Sequence, residues 1–192
     1  MTILGGIIMV GILEAAITTI KSLTDEEKPH PLHVGEVMAC WIYLAGLEVA
    51  KVTVQAGINT TNDEDLRAVL KEDLELNHGQ RERLYDFMLK EGITLPPAHE
   101  DMPQSDTNSI PLGVKLTDEV LANELSFKIV SLILRAAGAN AEAIRTDFGL
   151  IFLQFQAEKV MLGGKLKQLM VKRGWIKVPP FFIPPGSQQT ST

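Results

Sequence analysis

The sequence predicts an all-α protein: a four-helix bundle built as two helical hairpins joined by a long crossover. Three observations predict it. Apolar residues recur at alternating three- and four-residue spacings in four separate stretches. The connections between those stretches run short, long, short. Two closing segments, LKEGITLPP (89–97) and VKRGWIKVPP (171–180), end a helix in the same way, with a basic residue, a glycine and a short run into Pro-Pro.

With 192 residues, of which 45% are hydrophobic and 22% charged, the chain suits a single domain with a sizeable core. A net charge of -6 leaves no basic field for nucleic acid, and the few aromatics are not interleaved with Arg or Lys. The lone cysteine, Cys40, excludes an internal disulfide framework, suits a reducing compartment and reads as a core side chain. A cytoplasmic or spore-associated location is expected, without a conventional signal peptide, since no Lys or Arg precedes the first apolar run.

Taken in order, residues 1–31 form an apolar segment and a linker. The first 20, MTILGGIIMVGILEAAITTI, make a poor spanning helix because Gly5, Gly6, Gly11 and Glu14 interrupt them. Packing on the bundle or on a partner subunit is expected for them; a membrane-facing role is the weaker alternative. The bundle is expected over 32–185. Its first helix, about 33–56, carries an apolar stripe of Val34, Val37, Trp41, Leu44 and Val52 closed by Gln55. The stretch NTTNDED supplies an N-cap and an acidic first turn for a second helix, about 63–91, stopped by Gly92. Thr117, Asp118 and Glu119 open a third helix that reaches Gly138 (117–138). It is apolar nearly all round from Ile129, as a central or interface helix would be. The fourth helix, about 141–173, closes at Gly174, and Gly163-Gly164 inside it permits close helix approach.

The crossover, 95–116, is rich in Pro, Ser and Asp and lacks a periodic pattern. Extended at roughly 3.3 Å per residue it reaches about 70 Å, enough to return along helices of about 37 Å, as in a ferritin-like bundle with one crossover. A shift of 82 residues lays Leu66, Leu70, Leu84 and Met88 on Phe148, Phe152, Leu166 and Met170, which predicts two hairpins related by a pseudo-two-fold axis. After the bundle, Phe181, Phe182 and Ile183 lie between two Pro-Pro pairs on an extended arm. The arm is expected to pack across its own bundle, with docking on a neighbour as the alternative. Residues 186–192 read as a disordered tail.

Three stretches carry a resemblance: LHVGEVMACWIYL (32–44), IPLGVKLTDEVLANEL (110–125) and GLIFLQFQAEKVMLGGKLKQLMVKRGWIKVPP (149–180). They resemble an uncharacterised, spore-coat-like domain-of-unknown-function family of spore-forming bacilli with a ferritin-like fold. The resemblance covers roughly 32–180 and implies a four-helix bundle linked to sporulation proteins. It implies no chemistry.

Ferritin-like bundles raise the question of a metal, because Glu75 and His78 spell the Glu-x-x-His signature of di-iron proteins. Helical phase argues against it. The seam of the second helix runs Leu66, Leu70, Asp73, Asn77, Gln80, Leu84 and Met88. At about 100° per residue Glu75 faces away from that seam and His78 lies about 100° from Asn77. The fourth-helix seam, Phe148, Phe152, Phe155, Lys159, Leu162, Leu166 and Met170, holds neither carboxylate nor imidazole. The third, Ala122, Leu125, Ile129, Leu132 and Ala136, holds none either.

What the seams do hold is a polar cluster of Glu48, Asp73, Asn77 and Lys159. Lys159 is expected to supply the central positive charge and to pair with Glu48 or Asp73, since lone buried charges cost several kcal/mol. His30, His33 and Glu36 are close in sequence and form a weak surface metal candidate; a cap and loop is the preferred reading. No phosphate loop or nucleophile motif is present. The functional expectation is a non-enzymatic structural or interaction protein without a cofactor. Its partners would be proteins or further copies, met through the third helix, residues 1–20 or Phe181 and Phe182. Carboxylate-bridged iron or manganese chemistry is the alternative, and membrane anchoring through residues 1–20 is the second.

Overall fold

A computed structural model describes Thr18 and residues 30–184; the expectations for residues 1–17, 19–29 and 185–192 lie outside the described residues. Among the described residues four long helices form the bundle, α1 Val34–Thr60, α2 Glu64–Lys90, α3 Asp118–Glu142 and α4 Thr146–Arg173, with one 3-10 turn at Thr107–Ser109 in the crossover. No strand occurs among the described residues. α1 pairs with α2 and α3 with α4 as hairpins, and the hairpins meet through α1 against α3 and α2 against α4.

The ends of the helices follow local chemistry. Asp63 accepts the Leu66 N–H at 2.9 Å to cap α2, and Thr117 accepts the Val120 N–H at 3.3 Å to cap α3. Gly92 and Gly174, 82 residues apart, both take the left-handed conformation that ends α2 and α4, with φ of 71° and 72°. The crossover climbs beside α1: the side chains of Lys51, Gln55 and Asn59 bond the backbone or side chains of His99, Asp101 and Pro103.

Two apolar clusters fill the bundle. One contains Tyr43, Phe148, Phe152 and Phe155 with Cys40, Leu44, Leu47, Leu84, Met88 and Leu132. The other is largely aliphatic: Val54, Leu66, Leu70, Leu125, Ile129, Leu162 and Leu166 among its members. Along α1, α2 and α4 buried polar residues separate the two.

Every residue predicted for the α2, α3 and α4 seams is buried. The α1 stripe is corrected. Val34 is 82% and Trp41 40% exposed, while Cys40, Tyr43, Leu47 and Val54 face the core instead. Apolar residues surround α1, so a three-four spacing fits more than one phase. The same helix runs on past residue 56 to Thr60, because Gly57 packs closely on Leu70 rather than ending the helix. α3 likewise passes Gly138 and stops at Glu142, and α4 begins at Thr146 rather than 141. The stop is made at a distance by the Glu36 carboxylate, which accepts the N–H groups of Ile144 and Arg145. Gly163 does permit close approach, since a Cβ there would meet Ile129 at 3.2 Å, but Gly164 faces open space. The C-terminal arm does not pack on the bundle: Phe181 and Phe182 are 87% and 85% exposed. The flanking Pro-Pro pairs hold this short segment extended.

Candidate functional site: a polar layer at the bundle centre

The layer is built where the seam registers of α2 and α4 meet. Asp73 and Asn77 are one helical turn apart on α2, and both face inward because Leu66, Leu70, Leu84 and Met88 fix that face as buried. Lys159 comes from α4 between Phe155 and Leu162. Its ammonium donates to Asp73 Oδ1 at 2.7 Å and to Asn77 Oδ1 at 2.6 Å, and the Asn77 amide donates to Asp73 Oδ2 at 2.9 Å. The three side chains close a triangle. Lys159 is fully buried and Asp73 nearly so. Burial pushes the Lys159 pKa down, against the opposing pull of the Asp73 carboxylate.

Glu48 takes a different partner from the one anticipated. Arg81 on α2 donates to it, and the His99 N–H of the crossover bonds its other oxygen at 3.2 Å. Burial would raise the Glu48 pKa, but the hydrogen bonds from Arg81 and His99 and the nearby positive charges outweigh it and hold the carboxyl below its usual range. Arg81 stands one residue past the seam, where its stem reaches the border between α1 and α2. Of the two anticipated carboxylates Lys159 is thereby left with Asp73, beside the Asn77 amide oxygen.

A second polar thread adjoins the layer. The Tyr43 hydroxyl donates to Gln80 Oε1 at 2.8 Å, and the Gln80 amide donates to Glu158 at 2.8 Å. Arg83 grips Glu158 with two bonds of 2.8 and 2.6 Å. Sequence reasoning placed Gln80 on the seam without adding it to the polar cluster, and it missed Tyr43, Arg81 and Glu158. The heptad position of Gln80 was the signal available for the thread. Among the described residues every buried side-chain nitrogen and oxygen has a hydrogen-bond partner.

The layer's donor set does not fit a di-metal centre. Such a centre takes inward carboxylates from four helices and imidazoles from two. Here Asp73 is held by an ammonium and an amide, Glu48 answers Arg81, and the buried side of α3 carries only apolar side chains. Glu75 and His78 are both exposed, and His78 lies 3.8 Å from Glu82. Among the described residues no group of three His, Cys, Asp or Glu side chains converges.

The His33 and Glu36 pair is a structural fastening. His33 Nδ1 accepts the Gly35 N–H at 3.0 Å while Glu36 Oε2 accepts the His33 N–H at 3.1 Å, a capping box with His in the place of Ser or Thr. Glu36 is buried, and its other oxygen accepts from Ile144 and Arg145 at 2.9 and 3.0 Å. Burial would raise its pKa, but these backbone donors and His33 outweigh it and hold it low. His30 is exposed and joins neither residue. Below the same junction Arg145 bonds Glu91 and Asp147, which raises its pKa.

Comparison with known proteins agrees with this architecture. A family model described as a protein of unknown function (DUF3231) matches residues 20–187. The uncharacterized protein YvdQ of Bacillus subtilis (strain 168) is 27% identical over 84% of this chain and 95% of its own length. A Bacillus halodurans C-125 crystal structure, provisionally described as a spore coat protein, is 30% identical. It covers 81% of this chain and 98% of its own, with a TM-score of 0.78. An Anabaena variabilis protein with DJ-1/ThiJ/PfpI-like and ferritin-like domains matches 80% of this chain and 41% of its own. Its 16% identity and TM-score of 0.56 show the ferritin-like fold alone.

Proposed function

Because the chain belongs to the DUF3231 family, whose activity is unknown, its role has to be read from its own side chains; we propose that it is a non-enzymatic structural protein of the spore, in or beside the coat. In this reading the ferritin-like centre is a packed electrostatic layer and not a metal site. The observation that carries it is the Lys159 ammonium held 2.7 Å from Asp73 in the middle of the bundle, where a di-metal centre would need free carboxylates. Two further features support it. The polar layer is fully satisfied by protein groups, and the Bacillus halodurans relative carries a spore-coat description.

The relation between the two hairpins is in keeping with the internal repeat expected from the sequence. Leu66, Leu70, Leu84 and Met88 and their mates Phe148, Phe152, Leu166 and Met170 are all buried, and the two left-handed glycines share the offset of 82. Within the layer the same offset sets Asp73 against Phe155 and Asn77 against Lys159, a charged side chain against a neutral one each time.

Elemental analysis of the purified full chain, with anomalous diffraction at the bundle centre, tests the metal-free reading. Iron and manganese well below one equivalent are expected; two stoichiometric metals would overturn it. Immunodetection in fractionated sporulating cells tests the location, with the protein expected in the spore integument fraction. Its confinement to the vegetative cytosol would contradict the assignment.

A further inference from the structure

The triangle at the bundle centre has the parts of a reaction as well as those of an ion pair: an amine, a carboxamide and a carboxyl group. Lys159 Nζ lies 2.6 Å from Asn77 Oδ1, to which it donates. The carbonyl carbon is one C=O bond of about 1.2 Å further on, so it is within about 3.8 Å of the amine. Attack begins from about 3–3.5 Å, a shift of a few tenths of an ångström. Asp73 touches both nitrogens that would exchange. Its Oδ1 accepts from Lys159 Nζ at 2.7 Å and its Oδ2 from Asn77 Nδ2 at 2.9 Å. A carboxylate so placed can take a proton from the nucleophile and pass one to the leaving group. Lys159, Asp73 and Asn77 are 0, 2 and 3% exposed, so bulk water does not compete for the carbonyl.

We infer that this layer matures by forming an amide bond between Lys159 and Asn77, with Asp73 as general base and acid and ammonia as the leaving group. The inference rests on the metal-free reading of the bundle centre, since a metal on Asp73 would block the proton relay. Asp73 takes one proton from the Lys159 ammonium. The freed electron pair of Nζ attacks Asn77 Cγ, a second Nζ proton passes through the carboxyl group to Nδ2, and the Cγ–Nδ2 bond breaks. The products are an Nζ–Cγ amide keeping one N–H, a neutral Asp73 carboxyl and free ammonia. Nothing is oxidised or reduced, and no co-reactant is consumed. Two buried formal charges, costly to desolvate, become neutral groups that hydrogen-bond each other, which favours the product. Burial already pushes the Lys159 pKa down, toward the free amine that attack requires. Lys128 and Glu158 act on the pair through space and bond to none of the three side chains. Each molecule reacts once, so the ion pair is the form that folds and the amide is its slow product. The new bond staples α2 to α4 across 82 residues of sequence.

The test is the intact mass of the full chain, freshly purified and after a week's incubation below its melting temperature. Incubation is expected to lower the mass of most molecules by about 17 Da, one ammonia. A tryptic digest should then contain an α2 peptide joined to an α4 peptide through Asn77 and Lys159. Lys159→Arg and Asp73→Asn should keep their full mass. An unaltered chain of unchanged mass overturns the proposal whatever the variants do. The same loss persisting in Lys159→Arg also overturns it, because an asparagine closing on its own backbone releases the same ammonia. So does a loss of about 18 Da with the link at Asp73, which would be condensation with the acid instead. Metal content of the same samples keeps the two readings apart. Stoichiometric metal refutes the metal-free centre and the amide with it, whereas metal-free protein of unchanged mass refutes the amide alone.

Discussion

Asp73 and Glu36 are both buried carboxylates, 2% and 1% exposed, and the fold satisfies them in opposite ways. Asp73 faces an ammonium brought from 86 residues away, together with the amide of Asn77. Glu36 has no ammonium or guanidinium bonded to it; three backbone N–H groups donate to it at the junction of α1 with the α3–α4 connection. The difference separates two uses of a buried acid. At the bundle end, backbone dipoles hold the acid and the acid holds the chain path. At the centre, two side chains each exist in the core on condition that the other is there.

The largest effect should come from breaking that mutual condition. Lys159→Met or Asp73→Leu alone leaves one uncompensated charge between the two apolar clusters and should cost about 3–5 kcal/mol in urea unfolding. Removing the Glu36 charge should cost less, because an amide oxygen still accepts a backbone bond. Glu36→Gln is expected to lose about 1–3 kcal/mol, with faster amide exchange at Ile144 and Arg145 reporting the loosened junction.

Acid should act on the same side of the comparison. Glu36 and Glu48 have folded pKa values depressed below their unfolded ones. Their contribution is therefore complete above the ordinary glutamate pKa of about 4.3 and is lost as pH falls through the depressed values. The urea midpoint should drop steeply below that pH, and Glu36→Gln should flatten the slope. The smallest effect belongs to the signature that first suggested a metal: Glu75→Ala and His78→Ala should each change stability by no more than about 0.5 kcal/mol and leave metal content unaltered.

Much of this was legible from residue spacing. On α2 the seam Leu66, Leu70, Asp73, Asn77, Gln80, Leu84 and Met88 stands out because charged residues such as Lys71, Glu72, Glu75 and Arg83 mark the opposite faces. All seven seam residues are buried, and the three acids and bases among Glu72, Glu75 and Arg83 are not. α1 offers no such contrast, so its phase was misread although Glu48 was placed inside. The partner of Glu48 was hidden for another reason. Arg81 sits at a helix border, where heptad position says little and the length of a guanidinium stem decides. The Glu36 lock combined a readable part with an unreadable one. His33 and Glu36 have the spacing of a capping box, but the bonds to Ile144 and Arg145 join residues more than 100 positions apart.

The most direct measurement of the central claim is the double-mutant cycle of Lys159→Met and Asp73→Leu, followed by urea unfolding of all four proteins. If the layer is a packed ion pair, the double variant is much more stable than the sum of the single losses allows, returning to within about 1 kcal/mol of the parent. Additive losses would contradict it, because they would mean that Asp73 serves something other than Lys159.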